Sequence, residues 1–214
     1  MLITFEGIDG CGKSTQAALL AERLKLQGIV TKLLREPGGT ELSEQVRTLL
    51  LNKSYAHPLA SETELLLFAA SRAQLMHEVI LPALARNEIV ILDRFTDSTI
   101  AYQGYGRGIS IPYIKQINRF ASADTEPDLT FYFDVSLDVA SSRREASGKD
   151  RIESESEIFF NRVIKGYEAL ASEHTERIVA LDGSMDIDEI RHNIWRLLEE
   201  MHGNNLNASA RIDQ

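Results

Sequence analysis

The chain has 214 residues, a single cysteine and a formal net charge of -9 at pH 7, a size that suits one domain with its own hydrophobic core. The acidic charge argues against nonspecific binding to DNA or RNA, because such binding needs a basic face that neutralises phosphates. One cysteine excludes an internal disulfide, no apolar run approaches the roughly 18 residues of a membrane-spanning helix, and no export signal is visible, so we expect a cytoplasmic protein with no membrane partner.

The first part of the chain predicts a strand over residues 2–5, a glycine-rich loop and a helix over residues 16–27. The loop fits the phosphate-binding pattern of Gly, four residues, Gly, Lys and Ser or Thr, through Gly7, Ile8, Asp9, Gly10, Cys11, Gly12, Lys13, Ser14 and Thr15. Loop amides and the positive end of the helix would converge on one anion, and Lys13 would add a charge near the outer phosphates. Ser14 or Thr15 offers a hydroxyl to Mg²⁺. The alternative is a glycine-rich turn that only caps a helix.

The remaining pattern alternates apolar strands with helices. Further strands are predicted over residues 29–34, 88–93, 128–135 and 177–181, and helices over residues 41–51, 61–86, 95–105, 112–123 and 137–144, with two more from residues 159 and 187. Ser61 and Glu64 predict a capping box at the start of the long helix, and Pro82 predicts a kink near its end. Five buried strands alternating with helices predict an α/β fold with a doubly wound parallel sheet. We expect one domain over residues 1–202 and a flexible tail over residues 203–214.

Ligands in such sheets bind at the carboxyl ends of the strands, where Asp9, Arg35, Asp93 and Arg94 are predicted to lie. We expect Asp93 to orient Mg²⁺ directly or through water, the alternative being a helix cap. The forked donors of Arg94 suit a second phosphate, the alternative being a surface salt bridge. Together with Arg35 and Arg72, this is more positive charge than one triphosphate and its magnesium need. The sequence therefore predicts two phosphorylated ligands in one cleft.

A possible base-binding surface lies on the long helix. Phe68 and Arg72 are four residues apart and share one helix face, so that a ring and a forked donor could stack on and hydrogen-bond a nucleobase. The same spacing relates two polar pairs that follow Arg94, namely Ser98 with Tyr102 and Thr99 with Gln103. For each of these residues the alternative is an ordinary structural role, with Phe68 in the core.

Residues 143–157 form a polar segment with several basic residues, Arg143, Arg144, Lys149 and Arg151, and with Ile152 as its apolar residue. The segment is either a solvated loop, as most charge runs are, or a short mobile lid. In a phosphoryl transferase a closing lid brings arginines to the transferring group and excludes water. We favour the lid.

Several segments of the sequence together are typical of one enzyme family. Besides the loop from Phe5 to Thr15, they are Arg35-Glu36-Pro37-Gly38-Gly39-Thr40, Phe68-Ala69-Ala70-Ser71-Arg72, Asp93-Arg94-Phe95 and Ser98-Thr99-Ile100-Ala101-Tyr102-Gln103-Gly104. On these segments the chain resembles the bacterial thymidylate kinases over residues 2–201. The phosphate loop alone indicates only a superfamily, whereas the combination of all these segments is much more specific.

The resemblance implies a P-loop NTPase fold with a five-stranded parallel sheet and helices on both faces. It also implies ATP and thymidine 5′-monophosphate (dTMP) as substrates, with Mg²⁺, thymidine diphosphate (dTDP) as product for dTTP synthesis, and a homodimer. For the metal we predict Ser14 and Asp93, from the phosphate loop and the strand end described above. In the family pattern, Asp9 would hold the acceptor's 3′-hydroxyl and Arg94 its phosphate, with Arg35 nearby.

The same pattern places Phe68 against thymine, Arg72 and Thr99 or Gln103 in hydrogen bonds with the base, Ser98 in the acceptor site and Tyr102 against the sugar. Some members carry a catalytic arginine in the phosphate loop, whereas others supply it from the lid. Because Gly10 and Cys11 are uncharged, this chain resembles the second type. Lys13, Arg94 and the lid residues Arg143, Arg144 and Arg151 are therefore the predicted catalytic groups, although the spacing of the lid arginines departs from that type.

Two alternatives stay open at this point. The first is a kinase of another nucleoside monophosphate or of a deoxynucleoside on the same fold, although a nucleoside brings no phosphate for Arg94 to hold. The second is a nucleotide-dependent switch, but the Asn-Lys-x-Asp segment usual in guanine-nucleotide switches is not found in the sequence.

Overall fold

The structure, a computed structural model, describes residues 1–143 and 150–209, with side chains as far as Met201. Within these residues five strands form one parallel sheet in the order β2-β3-β1-β4-β5. Their bounds are β1 Leu2–Glu6, β2 Thr31–Arg35, β3 Ile89–Asp93, β4 Leu129–Asp134 and β5 Ile178–Asp182. The predicted parallel α/β architecture is therefore confirmed.

The helices of the described ranges connect these strands. They are α1 Lys13–Leu26, α2 Glu41–Leu51, α3 Ser61–Leu75, α4 Leu81–Ala85, α5 Thr96–Thr99, α6 Ile111–Ala121, α7 Leu137–Arg143, α8 Glu157–Glu173 and α9 Ile187–Ser209. Two π-helical segments, Met76–Ile80 and Ile100–Gly106, continue α3 and α5. The last helix thus includes part of the stretch predicted as a tail, and residues 210–214 lie outside the described residues. None of the helices described has both the length and the apolar composition needed to cross a membrane.

The core lies on both sides of the central strands. All side chains of β1 are buried, as are the first four of β3 and the first five of β4. The prediction that all five strands are buried was wrong for β2 and β5, because Leu33 of β2 is 46% exposed and Ala180 of β5 is also exposed. Both are edge strands, since β2 pairs only with β3 and β5 only with β4 in the described sheet.

The long helical segment differs from its prediction at its start. Ala60 is the N-cap and Ser61 is already helical, so the predicted capping box is absent, and Glu64 is instead buried among basic side chains. Before Pro82 the helical pattern widens to a π-turn, and the chain then remains helical as far as Ala85. A proline has no N–H to donate to the preceding turn, and a local π-turn is one way in which a helix accommodates this.

The sheet register places the ends of β1 and β3 side by side. Phe5 lies opposite Asp93, and the backbone N–H of Arg94 donates to the carbonyl of Phe5 at 3.0 Å. The loop that follows β1 therefore lies next to Asp93 and Arg94, as expected for the carboxyl edge of a parallel sheet.

Candidate active site

The glycine-rich loop connects β1 to α1 and is tightly folded against β4. Gly7 has a φ of +141°, and a Cβ at this position would approach the Sγ of Cys11 and the carbonyl of Phe133 to 2.9 Å each. Helix α1 begins at Lys13, three residues earlier than predicted, so its first turn belongs to the motif itself. N–H groups in a first helical turn lack helical acceptors and carry the positive end of the helix dipole. The loop thus has the geometry of an anion site.

Asp9 joins the lysine of the loop to the arginine after β3. Its Oδ1 accepts from Nζ of Lys13 at 3.1 Å and from Nη2 of Arg94 at 2.7 Å. Burial acts to raise the pKa of Asp9, but the positive charges of Arg94 and Lys13 outweigh it and hold the pKa well below its usual value. Asp9 is therefore a stable carboxylate between two cations.

Asp93 and Ser14 form a pair suited to a divalent cation. The hydroxyl of Ser14 donates to Oδ2 of Asp93, while the buried Oδ1 of Asp93 has no hydrogen-bond partner in the described part of the chain. A hydroxyl and a carboxylate at a phosphate loop are ligands that Mg²⁺ takes, with phosphate and water oxygens completing its shell. The two residues therefore fit a magnesium ion.

A cavity opens beside Asp9 on the side away from the phosphate loop. It is lined by eight of the predicted acceptor-site residues: Asp9, Phe68, Arg72, Arg94, Ser98, Thr99, Tyr102 and Gln103. They come from the loop after β1, from α3 and from the segment after β3. The helical spacing of the polar pairs after Arg94 therefore did predict residues that share one face. We call this space the acceptor cavity.

Arg94 lies at the boundary between this cavity and the phosphate loop. Its Nη1 donates to the carbonyl of Gly7 at 2.9 Å, and its Nη2 donates to Asp9 and to the hydroxyl of Tyr102. The φ of Arg94 is +72°, in the left-handed region that non-glycine residues rarely adopt, and such strain is found most often at functional sites. Arg94 is therefore a partly buried cation held by several bonds rather than part of a surface salt bridge.

Arg72 forms a buried ion pair at the opposite wall of the acceptor cavity. Its Nε and Nη2 donate to Oε2 of Glu36 at 2.9 and 2.6 Å, and its Nη1 donates to Asn118. Burial raises the pKa of Glu36 in spite of the nearby Arg72 charge. Phe68 is half-buried on the same wall. The guanidinium is thereby held in one orientation beside an aromatic ring.

Glu6 is a buried hydrogen-bond acceptor close to Arg94. Its carboxyl accepts from the backbone N–H of Phe95 at 2.7 Å, from the hydroxyl of Ser98 at 2.5 Å and from the hydroxyl of Tyr167 at 3.1 Å. Burial, together with the negative charge of Asp97, raises the pKa of Glu6 to about 7. Sequence analysis did not single out Glu6 as a site residue.

A second cavity lies on the other side of the phosphate loop. It is lined by residues 10–16 of the loop and α1, by Arg143, and by residues 183–187 and Ile190. Arg143 donates from Nη1 to the carbonyl of Gly183 at 2.6 Å. We call this space the donor cavity, because the phosphate loop forms its floor. The two cavities thus meet at the loop that carries Asp9 and Lys13.

The comparisons with known proteins agree with this geometry. A family model described as thymidylate kinase matches residues 5–194. The chain belongs to the thymidylate kinase family. It is 48% identical over 195 residues to the thymidylate kinase of Kosmotoga olearia, and the match covers 91% of this chain and 93% of that protein. It is 44% identical over 199 residues to the thymidylate kinase of Nostoc punctiforme, and this match covers 92% of this chain and 94% of that protein.

Among solved structures, the crystal structure of thymidylate kinase from Ehrlichia chaffeensis is similar, with a TM-score of 0.75 and 40% identity over 92% of this chain and 98% of that one. The family and fold predicted from the sequence are therefore confirmed. Thymidylate kinases are nucleoside monophosphate kinases, and the chain is an enzyme of this class.

Two of the predicted site residues, Arg35 and Arg151, lie apart from the others. Arg35 lies at the surface, where its half-exposed side chain pairs with Glu44 at 2.9 Å, and it does not line the acceptor cavity. Arg151 pairs with Glu64 at 2.7 Å and donates to the carbonyl of Leu50, and it lines neither cavity. Arg144 lies outside the described residues, as does Lys149. Of the predicted lid arginines, the structure thus brings Arg143 to the phosphate loop.

Three charged residues that line the acceptor cavity were not predicted as site residues from the sequence, namely Glu36, Arg47 and Asp150. Glu36 holds Arg72, and Arg47 of α2 donates to the carbonyl of Pro37 at 3.0 Å. The position of Glu36 directly after Arg35 at a strand end was a usable signal. Arg47 had none, because a single arginine on an amphipathic helix is usually on its solvated face.

Proposed function

We propose that this protein transfers the γ-phosphoryl group of ATP to dTMP, forming dTDP for dTTP synthesis. The observation that carries the proposal is the position of Asp9, which bonds the phosphate-loop lysine on one side and Arg94 of the acceptor cavity on the other. Two phosphorylated ligands bound in the two cavities would meet at this point. Membership of the thymidylate kinase family supports the same reaction.

On the donor side, the phosphate loop and Lys13 would bind the phosphates of ATP. Ser14 and Asp93 would hold Mg²⁺, which neutralises charge on the phosphate oxygens when it is bound. The guanidinium of Arg143 lies against the donor cavity together with Met185 and Ile190, a cationic and apolar wall suited to a nucleobase. We therefore assign Arg143 to contact with the donor nucleotide.

On the acceptor side, Arg94 would bind the phosphate of dTMP and Asp9 the 3′-hydroxyl, with Tyr102 against the sugar. Phe68 would stack on thymine, and Arg72, Thr99 and Gln103 would hydrogen-bond its edge. Ser98 would act by orienting Arg94, since its hydroxyl accepts from Nη1 at 3.2 Å. Arg35 would act at the rim, because its charge lies at the surface.

The chemical step needs positioning and charge stabilisation rather than a tuned general base, because the acceptor phosphate is already an anion. Lys13 and Arg94 are cations held on either side of Asp9, and they would stabilise charge on the donor and acceptor phosphates. A further arginine from the predicted lid, Arg144 or Arg151, would complete the site. Arg151 would first have to break its ion pair with Glu64.

We also propose a homodimer. Helices α3 and α6 are in contact, and together they expose Leu66, Tyr113 and Phe120 to 58%, 65% and 89%. Exposed apolar residues grouped on neighbouring helices mark an interaction surface. Sedimentation of the purified protein should give twice the mass of the chain, and Phe120→Asp should shift it toward the monomer. A monomer at all concentrations would contradict this proposal.

The reaction is tested by incubating the purified protein with ATP and Mg²⁺ alone, with thymidine, or with dTMP, and by separating the nucleotide products. We expect ADP and dTDP in equal amounts with dTMP, and little ADP in the other two mixtures. Faster reaction with thymidine would support a nucleoside kinase, and rapid ADP release without an acceptor would support a nucleotide switch. Either result would overturn the proposal.

A further inference from the structure

Glu64 of α3 is a buried carboxylate that none of the assignments above uses. It is 1% exposed, and it accepts from Gln103, which lines the acceptor cavity, and from Arg107. Glu64 itself does not line that cavity. We propose that Glu64 is a positioning residue that fixes the side-chain amide of Gln103, so that the site accepts a pyrimidine with an N3–H donor and rejects one with an N3 acceptor. The inference rests on the proposed function.

Glu64 can only accept hydrogen bonds. Its Oε1 accepts from Nε of Arg107 and its Oε2 from Nη2 of Arg107, at 3.1 Å each. Its Oε2 also lies 2.7 Å from Nη2 of Arg151. Burial acts to raise the pKa of Glu64, but the hydrogen bonds and charges around it hold the pKa below its usual value. Glu64 is thus ionised, and an ionised carboxylate has no proton to donate.

The bond to Glu64 fixes the orientation of the Gln103 side chain. Its Nε2 lies 2.9 Å from Oε1 of Glu64, and because the carboxylate cannot donate, the NH₂ end of the amide must be the end that faces it. The carbonyl Oε1 of Gln103 is consequently turned away from Glu64. Gln103 is 2% exposed and belongs to the cavity wall, so this acceptor is available to a donor of a bound base.

Pyrimidine bases differ in the hydrogen-bonding groups along their edge. Thymine and uracil present an N3–H donor flanked by carbonyl acceptors, whereas cytosine presents an N3 acceptor beside an amino donor. A carbonyl acceptor on Gln103 and a guanidinium donor on Arg72 match the first pattern and oppose the second. Sites built to hydrogen-bond one pattern reject the other strongly, because the mismatch leaves buried polar groups unpaired.

The test is Glu64→Gln, an isosteric change that lets residue 64 donate to the carbonyl of Gln103 and so permits the amide to turn over. We expect kcat/KM for dTMP to fall because KM for dTMP rises. The ratio of kcat/KM for dCMP to kcat/KM for dTMP should rise by about tenfold or more. Glu155→Gln is the matched control. It removes the other carboxylate of Arg107, at 2.6 Å, but has no bond to Gln103, so it should leave the ratio unchanged.

A second variant keeps the inference testable if Glu64→Gln does not fold, which thermal denaturation would reveal. Gln103→Met removes the side-chain amide while keeping the length of the side chain. It should raise the ratio of kcat/KM for dCMP to kcat/KM for dTMP by about tenfold. Adding Glu64→Gln to it should then change the ratio no further.

Three results would overturn the inference: equal losses for dTMP and dCMP in Glu64→Gln, a shift of the ratio in Glu155→Gln, or an unchanged ratio in Gln103→Met. Failure of the unmodified protein to phosphorylate dTMP would instead overturn the proposed function, and the inference with it.

Discussion

The buried carboxyl of Glu6 should make the stability of the protein depend on pH in a way that one substitution removes. Its pKa is raised from 4.5 to about 7 by burial and by the charge of Asp97. Between these two pH values the unfolded chain releases the proton while the folded protein keeps it. Unfolding is therefore favoured progressively as the pH rises, and the effect is complete above the folded pKa.

The size of the effect follows from the shift. A rise from 4.5 to about 7 corresponds to a loss of about 3 kcal/mol of stability between pH 4.5 and pH 8. Glu6→Gln keeps the shape of the side chain and cannot ionise, so it lacks this loss. The difference in unfolding free energy, wild type minus variant, should therefore fall by about 3 kcal/mol over that range.

Urea denaturation followed by fluorescence at several pH values measures this difference directly. Protonation of other groups changes the unfolding free energy of both proteins and cancels in the difference between them. Glu22→Gln, an exposed change on α1, is the control, and its difference from wild type should stay within about 0.5 kcal/mol at every pH. A wild type and Glu6→Gln that differ by the same amount at pH 5 and pH 8 would refute the reasoning.

The other predictions concern the two cavities. Lys13→Ala should lower turnover by on the order of a hundredfold or more. The affinity for dTMP measured by calorimetry should stay nearly unchanged, because Asp9 keeps its bond to Arg94. Near-normal turnover would show that the phosphate loop does not take part in the mechanism. Phe68→Ala should raise the KM for dTMP by about tenfold and that for ATP much less, and equal increases would exclude stacking on the acceptor base. Arg72→Met should lower the free energy of unfolding by about 3–5 kcal/mol, since it leaves the buried carboxylate of Glu36 unpaired; a loss below 1 kcal/mol would show that this pair is not needed for folding.

The sequence predicted the parts of the site that depend on local pattern. The phosphate loop is a contiguous motif, and the apolar run before Asp93 predicted a strand whose end must lie beside it. Parallel strands bring their carboxyl ends to one edge, so the closeness of Asp93 and Arg94 to the loop followed from the fold class.

The sequence could not predict contacts that tertiary packing decides. Ser61 and Glu64 matched a capping box, but the partners of Glu64 lie 39 and 43 residues along the chain, and no local pattern contains them. Arg151 was assigned to catalysis as one of several basic residues, and its pairing with Glu64 depends on how α3 packs. The exposure of β2 was missed because an apolar run does not reveal whether its strand lies at an edge.

The most direct test of the proposed function is to supply γ-labelled ATP and Mg²⁺ to the protein in an equimolar mixture of dTMP, dCMP, dGMP and AMP. We expect the label to appear mainly in dTDP, because in the proposed function the two phosphorylated ligands would meet at Asp9 and the acceptor cavity would bind thymine. Label that appears mainly in another diphosphate, or in inorganic phosphate, would contradict it.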